Sequence, residues 1–251
     1  MRPRAVPLRE ILFAAKTGFL SKPLWHEFFA QRSRAQNARI WNNLMDQGYF
    51  RSHPSKMLRN VLVLAPKALE VLQKQGLVAV THPHISLFDH DEKVARIALC
   101  LEKASVVNDF TTEAELKKKF MLWMKTAPEG KCTKFPDLIL DLRGTGQFQR
   151  VAIEVEQSLK SLERYKSVMN SYANAKKIQA VIFISDQQTI FNRIGRAMTV
   201  VHYPSWERPV GFGLMNEWLK SPDTANIHLS RGVASIRQWA NLANENLSLN
   251  K

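Results

Sequence analysis

The segment from Phe135 to Glu156 limits this chain more than any other. It reads Phe-Pro-Asp-Leu-Ile-Leu-Asp-Leu-Arg-Gly-Thr-Gly-Gln-Phe-Gln-Arg-Val-Ala-Ile-Glu-Val-Glu. Two alternating runs flank Arg143-Gly144-Thr145-Gly146-Gln147, and such turn chemistry between alternating runs predicts an antiparallel hairpin. With Thr145-Gly146 as a two-residue loop, paired positions sum to 291. Leu138, Leu140 and Leu142 then share an apolar face with Val151, Ile153 and Val155. On the opposite face Asp141 stands across from Arg150, as a cross-strand ion pair would. Asp137 stands across from Glu154 on that same face, with Glu156 two residues on. Three carboxylates crowded on a core-packed hairpin repel one another and resist desolvation. A divalent cation relieves both costs, and hard oxygen donors suit Mg²⁺ or Mn²⁺. The competing reading is a solvated edge hairpin with ordinary surface acids.

Charge is the second constraint. The 251 residues carry 36 Lys and Arg against 22 Asp and Glu, a net +14. Residues 1–80 hold 13 basic and 4 acidic side chains, so most of the excess lies in the first third. A concentrated basic segment points to a polyanion, of which nucleic acid is the commonest. Two cysteines, Cys100 and Cys132, cannot build a disulfide framework or a four-thiolate zinc site. The absence of a long apolar run argues against a transmembrane helix, and no cleavable leader is recognisable. These features predict a cytoplasmic protein with no membrane partner.

The basic segment has its own pattern. Apolar spacing predicts a helix over 8–16, and Ser21 with Pro23 predicts the start of a second. A third helix is expected over 33–46, with Ala35, Ile40, Trp41 and Leu44 inward. Its other face would present Arg34, Asn37, Arg39 and Asn43, side chains that meet phosphates and base edges. Short extended pieces over 49–52 and 60–64 would bracket a loop holding Lys56 and Arg59, followed by a helix over 66–75. This order is that of a winged helix-turn-helix, whose third helix enters the major groove while the wing touches the backbone. Winged helices also serve as protein-interaction modules.

A linker is expected over 76–86, then amphipathic helices over 91–104 and 112–125. After the hairpin the pattern predicts a long helix, a strand over 180–185, a short helix, a strand over 199–203 and a helical tail. The fold class expected is therefore α/β (α+β). Its parts are a winged-helix domain over 1–80, a second domain over 86–205 and a C-terminal helical extension over 206–251.

Pro136-Asp137, a hairpin and then Glu154-Val155-Glu156 resemble the motif of the PD-(D/E)XK nuclease superfamily, which includes restriction endonucleases and has an α-β-β-β-α-β core. The position where that motif carries lysine is Glu156 here. The basic winged helix, Asp89-His90-Asp91-Glu92, the two motif pieces, Lys166 and Tyr172 together are similar to the replication-relaxation family, which includes the MobC-type relaxases of mobilisable plasmids. The resemblance covers roughly residues 5–205. It implies a metal-dependent relaxase, a DNA endonuclease that nicks one strand of a plasmid transfer origin for conjugative mobilisation. It also implies duplex DNA as partner, beside a coupling protein or an accessory mobilisation protein.

Under that reading Asp137, Glu154 and Glu156 hold Mg²⁺ or Mn²⁺, and Lys166 or Lys160 stabilises the developing negative charge. Arg34, Asn37, Arg39, Asn43, Lys56 and Arg59 hold DNA. Asp91 or Glu92 adds an acid or simply caps its helix. Tyr165 and Tyr172 fall on a core stripe with Leu162 and Met169. Trp206, Trp218 and Trp239 belong to the core or stack on unpaired bases. His82-Pro83-His84, the closest histidine pair, lies in the expected linker and argues against a histidine-ligated relaxase. Two other readings stand beside this one: a restriction-like enzyme cutting both strands, and a DNA-binding regulator or replication accessory protein with an inactive nuclease fold.

Overall fold

The computed structural model describes residues 6–30, 32–124 (120–124 by backbone alone), 134–144, 146, 148–175 and 177–240. The fold is mixed α/β, with helices and one large mixed sheet. It divides into two compact units, one within Met1–Glu92 and Ala114–Glu129, the other within Lys93–Glu113 and Gly130–Lys251. No helix among the described residues is long and apolar enough to cross a membrane.

The first unit begins with α1 (Leu8–Thr17). That helix ends at Gly18, where φ is +86° and an added Cβ would lie 2.8 Å from Val80 Cγ1. Glycine is required twice there, for the left-handed cap and for the close approach. Strand β1 (Leu20–Ser21) leads into α2 (Lys22–Phe28), where the Ser21 hydroxyl accepts from Leu24 N–H and Pro23 lies in the first turn. Such a cap contributes about 1 kcal/mol. Helix α3 (Arg34–Asp46) follows, then β2 (Phe50–Ser52), a short 3₁₀ turn (Lys56–Leu58), β3 (Val61–Leu64) and α4 (Pro66–Lys74). The three strands form an antiparallel sheet in the order β1-β3-β2.

Two expectations for this unit need correction. Helix α3 buries Asn37, Trp41 and Leu44, while Ala35 and Ile40 are exposed. The spacing 37-41-44 is itself a helical stripe, and a self-satisfied Asn takes the place assigned to Ala and Ile. The expected linker is partly anchored: Pro83 is buried, and Val80 N–H donates to Ala15 O at 2.8 Å.

Beyond it, α5 (Phe88–Lys103) buries Val94, Ala95, Ile97, Ala98, Leu99 and Leu101. Strand β4 (Val107–Thr112), α6 (Glu113–Met124), β5 (Leu138–Leu142), β6 (Arg150–Val155), α7 (Leu162–Asn174), β7 (Ala180–Ser185) and α8 (Gln188–Val200) follow in the chain, α6 from Ala114 on belonging to the first unit. The final elements are β8 (Val210–Leu214), α9 (Met215–Trp218), β9 (Ile227–Leu229), β10 (Gly232–Ala234) and α10 (Ile236–Trp239). One seven-stranded sheet runs β10-β9-β8-β7-β6-β5-β4, parallel at β6-β7 and β7-β8 and antiparallel elsewhere.

Strand β4 escaped the pattern because Val-Asn-Asp-Phe-Thr-Thr mixes polar and apolar residues without alternation. No strand occupies 199–203. The stripe Ile190, Phe191, Ile194, Ala197 carries α8 through Thr199 and Val200, whose β-branching imitates a strand. The described part of 206–251 is not a helical extension either, since β8, β9 and β10 widen the sheet. Gly211 and Gly213 hid β8, and packing demands them: added Cβ atoms would lie 2.3 Å from Ile227 Cγ2 and 2.1 Å from Trp218 Nε1.

Candidate active site

The hairpin pairs in the register expected of it: Leu138↔Ile153, Ile139↔Ala152, Leu140↔Val151 and Asp141↔Arg150. Its turn lies partly outside the described residues. The Asp141–Arg150 ion pair forms at 3.1 Å. The hairpin is no solvated edge. Strands β4 and β7 flank it in the sheet, and Ile139, Ala152 and Glu154 on the second face are buried as well as the apolar first face. Asp137 immediately precedes β5, Glu154 lies near the C-terminal end of β6 and Glu156 just past it. All three acids therefore gather at one end of the hairpin.

Asp137, Glu154 and Glu156 are all buried, at 7%, 1% and 2% exposure. Asp137 Oδ2 accepts from Val155 N–H at 2.8 Å, which fixes its carboxylate on the end of β6. Tyr172, from the last turn of α7, donates its hydroxyl to Glu154 Oε1. Lys134 brings its ammonium to 2.9 Å from Glu154 Oε2 and 3.7 Å from Asp137 Oδ1. Lys160 sits 2.8 Å from Glu156 Oε2 and 2.9 Å from Oε1.

Burial drives the ionisation of this cluster. Glu154 is pushed up to about 8 by burial and by the Asp137 charge, against the opposing pull of Lys134 and the Tyr172 hydroxyl. Glu156 is raised by burial, with Lys160 opposing. For Lys134, burial pulls downward, but Glu154 and Asp137 outweigh it and raise the ammonium above its ordinary value. Burial raises the Tyr172 phenol well above its usual range, and the Glu154 charge adds to it. Tyr165 is pushed up to about 12, first by burial and then by Glu156.

Asp137 and Glu154 thus converge on one cationic position and offer only hard oxygen donors. Mg²⁺ commonly binds through one or two carboxylates completed by water and phosphate, so this donor set fits Mg²⁺ or Mn²⁺. Glu156 is turned onto Lys160. Among the described residues no group of three or more His, Cys, Asp and Glu forms a ready-made cage.

The other expected residues fall as follows. Lys160 reaches the cluster although α7 starts only at Leu162, with Ser161 as its N-cap. Lys166 does not reach it; its ammonium pairs with Glu163 at 3.0 Å on the outer side of α7. Lys134 had no motif to mark it, since its contact with Glu154 joins the segment before β5 to β6. Tyr172 lies on its core stripe as expected, yet its hydroxyl serves Glu154. Asp91 lies in the first turn of α5, 3.2 Å from His90 Nδ1. Trp218 and Trp239 are core residues, whereas Trp206 is 80% exposed.

In the first unit Arg34, Arg39, Lys56 and Arg59 are exposed and Asn43 is partly exposed. Asn37 is not available for DNA. It is buried, its Oδ1 accepts from Arg32 N–H, and its Nδ2 donates to Arg32 O at 2.8 Å. No family model, no curated protein and no solved structure matches this chain.

Proposed function

We propose that this protein is a metal-dependent DNA endonuclease of the mobilisation-relaxase type, nicking one strand of a transfer origin. The observation that carries the reading is the convergence of Asp137 and Glu154, both buried, on one cationic position at the end of the β5–β6 hairpin. Burying two carboxylates costs several kcal/mol each without compensation. A purely structural protein has little reason to retain both. Element order adds support: α5, β4, β5, β6, α7 and β7 follow helix-strand-strand-strand-helix-strand, with α6 inserted after β4. The helices α1 to α4 and the three-stranded sheet of the first unit, with exposed Arg34, Arg39, Lys56 and Arg59, suit a winged helix on duplex DNA.

Asp137 and Glu154 would hold Mg²⁺ or Mn²⁺. Such an ion, when bound, polarises a phosphate oxygen and lowers the pKa of an attacking water. The backbone N–H of Val155 and the Tyr172 hydroxyl hold the two carboxylates in place, which spares reorganisation during the reaction. Lys160 neutralises Glu156 at the margin of the site.

The test is nicking of supercoiled DNA carrying the transfer origin of the element that encodes the chain, with Mg²⁺, Mn²⁺ or EDTA, beside Glu154→Gln. Metal-dependent open circles that vanish in the variant are expected. Linear product would favour the restriction-like enzyme. Intact supercoils in every lane, with protein bound, would favour the DNA-binding regulator.

A further inference from the structure

Glu156 stands two residues after Glu154, so the hairpin itself supplies no ammonium to the site. Lys160 is committed to Glu156 and Lys166 to Glu163. Lys134 is different: its side chain is only 12% exposed and lies 2.9 Å from Glu154 and 3.7 Å from Asp137, the two carboxylates that face one position. A divalent ion entering there competes with Lys134 for the same oxygens, and two cations cannot share them closely. The displaced ammonium remains tethered three residues before Asp137. A phosphate held by the ion would be the nearest uncompensated anion.

We propose that Lys134 is a catalytic residue of this site, acting first as resident counter-ion of Asp137 and Glu154 and then, once a divalent ion displaces it, as the cation that contacts the scissile phosphate. This rests on the nuclease reading. In the metal-free protein the ammonium keeps two buried carboxylates together, so the site is assembled before the ion arrives. In the loaded protein the same charge meets the negative charge that develops on the phosphate oxygens.

The experiment titrates Mn²⁺ into the full chain and into Lys134→Met, Lys134→Gln and Lys134→Arg, reading free Mn²⁺ by electron paramagnetic resonance. Single-turnover nicking of the supercoiled origin DNA is then measured at saturating Mn²⁺. Removing the competing cation is expected to tighten Mn²⁺ binding at least about tenfold in the Met and Gln variants. The same variants are expected to nick at least about a hundredfold more slowly, the loss typical of one electrostatic contact to the transition state. Lys134→Arg, which keeps the charge, should hold Mn²⁺ as weakly as the parent and recover part of the rate. A merely structural lysine would lower thermal stability without tightening Mn²⁺ binding. Unchanged or weaker Mn²⁺ affinity in both neutral variants, or parent-like nicking, overturns the proposal. If Lys134→Met does not fold in Mn²⁺, Lys134→Gln gives the answer. A parent that neither binds Mn²⁺ nor nicks removes the nuclease reading and this proposal together. A parent that does both and is matched by the neutral variants removes this proposal alone.

Discussion

The protein carries charge in two opposite ways. In the first unit, Arg34, Arg39, Lys56 and Arg59 lie on an exposed surface. In the second, Asp137, Glu154, Glu156 and Lys134 are nearly sealed from water. Exposed cations are screened by salt and separately contribute little to stability. Buried ions are costly, coupled and intolerant of losing a partner. The first arrangement suits reversible capture of a polyanion by many small contributions. The second suits chemistry at one point.

If the protein is the proposed nuclease, the largest expected effect is on nicking. Asp137→Asn and Glu154→Gln each remove one of two carboxylates, and metal catalysis is worth several kcal/mol, so single-turnover rates should fall about a thousandfold. Binding of the origin duplex by the first unit should change less than about twofold, because rim and surface charges govern that step. If binding and nicking fell together, the division of labour between the two regions would be wrong.

Stability against pH sharpens the contrast next. The Glu154 pKa is raised from 4.5 to about 8, so the folded state holds a proton that the unfolded state releases. This contribution is fully present below pH 4.5 and is lost as pH rises through 8. In EDTA the second unit should lose on the order of 3–5 kcal/mol between pH 5 and pH 9 from this group. Thermal unfolding of Glu154→Gln should show a flatter profile and exceed the parent at pH 9. A parent whose stability rises over that interval would contradict burial as the dominant influence on Glu154.

Tyr172→Phe follows in size. It removes the hydroxyl that donates to Glu154 Oε1 and leaves packing otherwise intact. Losing a hydrogen bond to a buried carboxylate costs about 2 kcal/mol, or roughly 4–8 °C in Tm. Lys166→Ala, one and a half turns earlier on α7, should stay within about 0.5 kcal/mol, since Lys166 serves only an exposed ion pair with Glu163.

The two regions also differed in how much of them could be read from the chain. The hairpin register followed from strict alternation, and the Asp141–Arg150 pair with it. That Asp137, Glu154 and Glu156 share one face of the hairpin was legible too, because period-two geometry leaves no freedom once the turn is placed; their burial was not, since it depends on what packs over that face. Lys134 and Tyr172 were not legible as partners of Glu154, since one lies in the segment before β5 and the other on α7, and no local period sets either contact. The strands of the tail were not legible because Gly211 and Gly213 weaken the strand signal for the sake of Ile227 and Trp218. On α3 the apolar count pointed inward at Ala35 and Ile40, but Asn37 could bond its own backbone neighbour and claim the inner stripe.

On α3 the expected effects are local. If α3 reads DNA, the contribution comes from Arg34 and Arg39 and not from Asn37. Arg39→Ala should weaken origin binding about three- to tenfold and reduce the salt slope by about one ion, with stability unchanged. Asn37→Ala should do the reverse. It leaves Arg32 N–H and C=O without their partner and loosens the start of α3, costing about 1–3 kcal/mol of stability. Its residual DNA affinity, measured below the unfolding transition, should keep the parent's salt slope. Exchange of these two signatures would mean that the basic face of α3 serves another surface.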